Sequence, residues 1–200
     1  MADGEGKRWN NYMGIPKHLI EINGEPILAR TVRLLIENGV PKENIIITSR
    51  DERYNYANRI EQTVRDCEID RFEESIIDGP ICYIYGDVYY SGVSIKTIVN
   101  SEVDDIHFFG SEWEIFAIKI NNVQKFLDHK HLVKTEYMNN NIPRCIGWEI
   151  YRSLNGISLL TTYDEHHITD MYTYLLDETF DFDSREDYEW WINEYRSIYE

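Results

Sequence analysis

Two glycines two apart, Gly4 and Gly6, are followed at once by Lys7 and Arg8, and Lys17 comes nine residues after Arg8, directly behind Pro16. Glycine lets a backbone turn tightly and bring its N–H groups against an anion. Arg8 carries the planar fork that fits phosphate oxygens, and Lys17 offers a point charge. Such a loop could wrap the phosphates of a nucleotide, with Gly4, Gly6, Lys7, Arg8 and Lys17 as its binding residues. A plain glycine-rich N-terminal turn with solvated cations has the same spacing.

The wider run "GEGKRWNNYMGIPKHLIEINGEPILARTVRLLIENG", from Gly4 to Gly39, adds a P-K pair and a G-x-P-[IL]-[IL] turn. In this order it resembles the start of the nucleotidyltransferase superfamily that activates sugars, alcohols and cofactors. That superfamily includes the molybdenum cofactor guanylyltransferases and the cytidylyltransferases. Its members open on a hydrophobic strand, whereas here only Met1 and Ala2 precede Asp3, itself at a position that is usually small and apolar.

The resemblance implies a set of roles. Asp87, in Gly86-Asp87, matches the aspartate that holds nucleotide-bound magnesium. Asp183, in Asp183-Ser184-Arg185-Glu186-Asp187-Tyr188, matches a second metal ligand. Magnesium prefers hard oxygen ligands and keeps several waters, so two carboxylates suffice. Asp181 alternates with Asp183 along an extended chain and shares its face, which makes it a reserve ligand. Both main candidates have ordinary readings too. Asp87 could be a turn residue at a strand end, and Asp183 or Ser184 could cap the last helix. Arg8 and Lys17 are the implied catalytic residues, Arg8 at the leaving phosphates and Lys17 at the α-phosphate or the acceptor. On this reading Lys17→Ala lowers turnover by orders of magnitude and leaves folding intact. The reaction implied is transfer of a nucleoside monophosphate from a nucleoside triphosphate to a small phosphorylated acceptor.

Composition narrows the classes. With 200 residues and 42% hydrophobic content, the chain can fold as one domain; the resemblance implies that residues of about 100–178 shape the acceptor pocket. A formal charge of −16 argues against a nucleic-acid partner, because a phosphate polymer needs a basic face. No apolar run reaches the ~20 residues of a membrane span. Cys67, Cys82 and Cys145 are scattered and read as small buried residues of a reducing cytoplasm.

Strand-like runs at 45–48, 81–85, 106–109, 115–120, 157–162 and 180–182 alternate with helix-like runs. The latter lie at 26–39, 51–66, 93–100, 122–129, 146–154, 170–176 and 185–199. Alternation of this kind, together with the resemblance, predicts a Rossmann-like three-layer α/β/α sandwich with a mostly parallel central sheet. Ligands then sit beyond the carboxyl ends of the strands. Tyr89, Tyr90 and Thr48-Ser49-Arg50 would lie near that edge. His166-His167 with Asp164, Glu165 and Asp170 suggests a transition-metal cluster or, more simply, a polar loop. Trp190-Trp191 suggests one ring in the core and one at the edge, or a contact in a homodimer. Two rivals remain: a glycosyltransferase with a related nucleotide-binding sheet, and a non-catalytic nucleotide-binding protein.

Overall fold

Asn23 and Gly24 both take positive φ, 55° and 79°. Two such residues in succession make the tight turn whose twist matches paired strands. They join β1 (Glu21–Ile22) to β2 (Glu25–Pro26), which pair antiparallel. The computed structural model of the chain describes residues 1–2, 8–62, 64–162 and 168–198, the side chain of Ile198 excepted. Pro26 ends β2 and leads straight into α1 (Ile27–Glu37), whose apolar face buries Ile27, Leu28, Val32, Leu34 and Leu35. Gly39, at φ 90°, closes that helix. Then follow β3 (Ile46–Thr48), β4 (Asn58–Ile60), β5 (Ile81–Ile84) and β6 (Val88–Tyr89). Next come α2 (Gly92–Asn100), β7 (Ile106–Gly110), β8 (Ile115–Ile120), α3 (Val123–Met138) and α4 (Gly147–Leu154). The chain continues through β9 (Tyr172–Tyr174), β10 (Phe180–Asp181) and α5 (Arg185–Trp190). A wider π turn, Trp191–Tyr195, extends α5.

The mostly parallel central sheet of a Rossmann-like sandwich is not what forms. Among the described residues there are instead small sheets of two to four strands, of mixed direction. β1 pairs β2 and β6 pairs β10 antiparallel, and β3 pairs β4 parallel. The largest sheet runs β5-β8-β7-β9, antiparallel except for β7 with β9. The reason is connection length. Only residues 111–114 separate β7 from β8, and a parallel crossover needs a dozen or more. The Ser111 hydroxyl accepts the backbone N–H groups of Trp113 and Glu114 and shapes that turn.

Three local expectations also fail. The described residues among 51–66 form no α-helix, because the Asp51 carboxylate takes the Arg53 N–H and turns the chain toward β4. Residues 157–162 form a turn, with Thr161 N–H on the Ser158 carbonyl, and no strand. Residues 172–174 form β9 where a helix was expected, in keeping with the strand preference of Tyr-Thr-Tyr.

The chain divides into two compact units. The first comprises Met1–Glu61, Tyr85–Ser101 and Leu175–Glu200. Its core gathers Trp9, Ile20, Ile22, Ile27, Tyr89, Phe182, Tyr188 and Trp191. The indole N–H of Trp9 donates to the Ile15 carbonyl and that of Trp191 to the Glu178 carbonyl, so neither ring buries an unpaired donor. Full burial of each aromatic contributes about 1.5–3 kcal/mol. Trp191 is wholly buried while Trp190 is 43% exposed, the core-and-edge arrangement expected of the pair.

The second unit comprises Gln62–Ile84 and Glu102–Tyr174. Phe72, Tyr83, Phe108, Phe116, Phe126 and Tyr151 pack its interior. Its buried Glu149 accepts from Arg144 and Arg152, which neutralises a carboxylate that has no access to water. No helix among the described residues is long and apolar enough to cross a membrane.

Candidate functional site

The first unit collects the candidate side chains by three local devices. Pro16 holds φ at −61° and sets up a single 3-10 turn, Lys17–Leu19, which carries Lys17 inward. The β6–β10 pairing sets Val88 opposite Asp181, so Asp87, Asp181 and Asp183 come to one end of that two-stranded ladder. Ser184 then starts α5 with a reciprocal cap. Its hydroxyl accepts the Asp187 N–H at 3.2 Å, and the Asp187 carboxylate accepts the Ser184 N–H at 2.8 Å. Asp183 is thereby left free of capping work, and the hydroxyl beside it is the cap.

Lys17 is the centre of the site. Its ammonium lies 2.6 Å from Asp87 Oδ2, 3.4 Å from Asp183 Oδ1 and 3.8 Å from Asp181 Oδ1. The first two distances bring those oxygens of Asp87 and Asp183 within about 6 Å of each other, a gap that one hydrated magnesium can span. Asp183 also meets Arg8 at 2.5 Å, although the Arg8 side chain is 71% exposed. Lys17 by contrast is only 8% exposed. Burial alone would favour its neutral amine, but Asp87, then Asp181 and Asp183, outweigh that and hold the ammonium above the ordinary lysine pKa. The lysine is therefore charged throughout the physiological range.

The five described groups sum to a net charge of −1, three carboxylates against Arg8 and Lys17. A polyphosphate would meet repulsion here without an added cation. Hard carboxylate oxygens suit magnesium, and Asp87 and Asp183 are the pair that would hold it. Among the described residues no group of three or more His, Cys, Asp or Glu is arranged around a metal position; the carboxylates close on Lys17 instead.

Gly4, Gly6 and Lys7 lie outside the described residues, as do Asp164, Glu165, His166 and His167. Gly86 has a purpose other than ligand approach. Its N–H donates to the Met1 carbonyl at 2.7 Å, and a Cβ there would meet that same oxygen at 2.7 Å. Ala2 N–H in turn donates to Thr48. Tyr89 and Tyr90 belong to the packing, not to the site. Tyr89 lies between Trp191 and Arg30, and the Tyr90 hydroxyl donates to the Tyr85 carbonyl. Thr48 and Ser49 are buried as well.

Sequence reasoning missed His18. It is buried beside Lys17, and its Nδ1 lies 3.1 Å from the buried Tyr54 hydroxyl. Its position next to the motif lysine was the available signal.

The chain matches no protein-family model, and no curated protein is similar to it in sequence.

Proposed function

We propose that this chain is a magnesium-dependent nucleotidyltransferase. It transfers a nucleoside monophosphate from a nucleoside triphosphate to a small phosphorylated acceptor, a sugar phosphate or phospho-alcohol. One observation carries the reading. Four motif residues scattered between positions 8 and 183, Arg8, Lys17, Asp87 and Asp183, meet around one buried ammonium.

In the reaction an acceptor phosphate oxygen attacks the α-phosphorus. The bond from that phosphorus to the bridging oxygen breaks, and pyrophosphate leaves. No covalent bond to the protein is needed; alignment and charge neutralisation supply the rate. Magnesium held by Asp87 and Asp183 would supply neutralisation of phosphate charge. With magnesium on Asp87 and Asp183, Lys17 would keep Asp181 as its partner and present its positive charge to the α-phosphate or the acceptor. Arg8 is exposed enough to exchange Asp183 for the leaving phosphates.

The test is a screen of the four triphosphates with magnesium against a panel of phosphorylated metabolites, read by pyrophosphate release. Release that depends on one acceptor supports the proposal. A second reading, a non-catalytic nucleotide-binding protein, is favoured by the fact that Lys17 is ion-paired with all three carboxylates. Calorimetric binding of a triphosphate without turnover on any acceptor would select it.

A further inference from the structure

The second unit brings together two cysteines that lie 78 positions apart in sequence. The Sγ atoms of Cys67 and Cys145 are 2.6 Å from each other, and both cysteines are free thiols. Their backbones are also tied together. The Ile69 N–H donates to the Cys145 carbonyl at 3.3 Å, and the Gly147 N–H reaches the Glu68 carboxylate at 3.4 Å. Cys67 itself starts a 3-10 turn, where its N–H donates to Asp70. Asp70 is in turn held by Lys134 at 2.7 Å. The two thiols thus meet because two anchored segments cross, not because a loose loop has drifted.

The partners also differ. Cys145 is buried and Cys67 is half-buried, so a reagent in solution meets Cys67 first. The Cys145 thiol hydrogen-bonds to Cys67 and holds the Cys67 thiol below its usual pKa, in spite of burial. A more available thiolate with a second thiol behind it is the arrangement of an attacking and a resolving cysteine. Cys82, the third thiol, is pushed up to about 12 by burial and is inert by comparison.

We propose that Cys67 and Cys145 form a thiol–disulfide exchange site that takes small-molecule disulfides such as glutathione disulfide. The Cys67 thiolate attacks one sulfur of the small disulfide; that S–S bond breaks and one small thiolate leaves. The Cys145 thiol gives up its proton and its sulfur attacks Cys67 Sγ, which expels the second small thiol. In sum two protein thiols become one intrachain disulfide, and one small disulfide is reduced to two thiols. The proposal is independent of the nucleotidyltransferase reading, since none of these residues belongs to that site.

The test uses the intact chain equilibrated in glutathione buffers of increasing oxidised fraction, acid-quenched, denatured and alkylated. The expected product has lost two protons and alkylates once, at Cys82, with a Cys67–Cys145 linked peptide after digestion. Thiol reductant should restore three alkylations. Cys145→Ser is expected to stop at one glutathione adduct on Cys67, whereas Cys67→Ser stays unmodified at Cys145. Three alkylations at every buffer ratio would overturn the proposal, and so would adducts on the native chain that never resolve to the intrachain bond. Because the native chain supplies the main readout, a variant that fails to fold does not remove the test.

Discussion

At the scale of the residue, Lys17 decides most. A buried ammonium among three carboxylates is held by attraction in a medium that screens it poorly. Its removal leaves like charges facing each other, and breaking a buried ion pair from one side costs about 3–5 kcal/mol. Asp183 is 24% exposed, so the lower end of that range applies. Lys17→Ala is therefore expected to lose about 3 kcal/mol in urea denaturation, which revises the expectation that folding would be untouched. A loss under about 1 kcal/mol would mean that the carboxylates are hydrated well enough to tolerate one another. If Asp87 and Asp183 bind magnesium, millimolar magnesium should stabilise Lys17→Ala more than the native chain, since the dication takes the vacated place. The pH dependence has a definite sign. The folded pKa of Lys17 is raised, so its contribution is complete below the ordinary value of about 10.5 and fades as pH rises beyond it. The stability gap between native chain and variant should be constant from neutral pH to about 10 and close above that. At this scale the residues that cluster were legible, while Gly4, Gly6 and Lys7 lie outside the described residues. Glycine, cation and aspartate motifs named Arg8, Lys17, Asp87 and Asp183 without coordinates. What the sequence concealed was that the cations would be neutralised by the aspartates, because ion pairs between distant segments leave no periodic trace.

Among the elements, the loop before β10 and the start of α2 act as one clasp. The Asp177 carboxylate accepts the hydroxyls of Ser91 at 2.5 Å and Ser94 at 2.7 Å, and the Thr179 N–H at 2.9 Å. The Thr179 hydroxyl accepts the Ser91 N–H at 3.0 Å. This clasp sits next to the β6–β10 pairing that aligns Asp87 with Asp181 and Asp183. Asp177→Ala is expected to cost about 2–4 kcal/mol, the sum of lost charge-assisted bonds and stranded donors. Asp177→Asn keeps an acceptor and should cost less. Burial would raise the Asp177 pKa, but the bonds from Ser91, Thr179 and Ser94 prevail and hold it below the usual range. Its contribution is therefore whole above about pH 3.8 and is lost as the solution becomes more acidic. The gap in urea midpoint between native chain and Asp177→Ala should hold steady from neutral pH to about pH 4 and close as the solution is acidified further; a gap that persists unchanged at about pH 2 would refute the assignment. The elements themselves were unevenly readable. α1 announced itself through apolar period, Pro26 and Gly39. Strand positions at 46–48, 81–84, 106–110 and 115–120 followed from β-branched and aromatic runs. Strand direction is not legible in the alternation of strand and helix along the chain; it is set by the short connection at 111–114, which admits only an antiparallel return.

For the whole molecule the dominant quantity is the formal charge of −16. Long-range repulsion among excess carboxylates destabilises the folded chain and is screened by salt. Ion pairs act in the opposite sense, since salt weakens them. Most of those outside the two buried clusters are half-exposed, such as Arg33–Glu37 and Arg185–Glu189, and each is worth only about 0.2–1 kcal/mol. The strong ones, around Lys17 and Glu149, are buried and little affected by ions in solution. Screening should therefore relieve more repulsion than it removes attraction. Raising ionic strength from about 0.01 M to 0.1 M shortens the screening length from about 30 Å to 10 Å, from a large part of the molecule to a few side chains. The thermal midpoint should rise by a few degrees over that interval at neutral pH. Acidification toward the sequence pI of 4.7 would also reduce the charge, but it changes the ionisation of individual side chains along with the long-range field, so salt is the cleaner variable. A fall in midpoint with added sodium chloride would show that surface pairing outweighs net repulsion. The same field bears on any anionic substrate. Approach of a triphosphate should quicken with added salt, the reverse of a nucleic-acid binder, whose basic face loses its attraction.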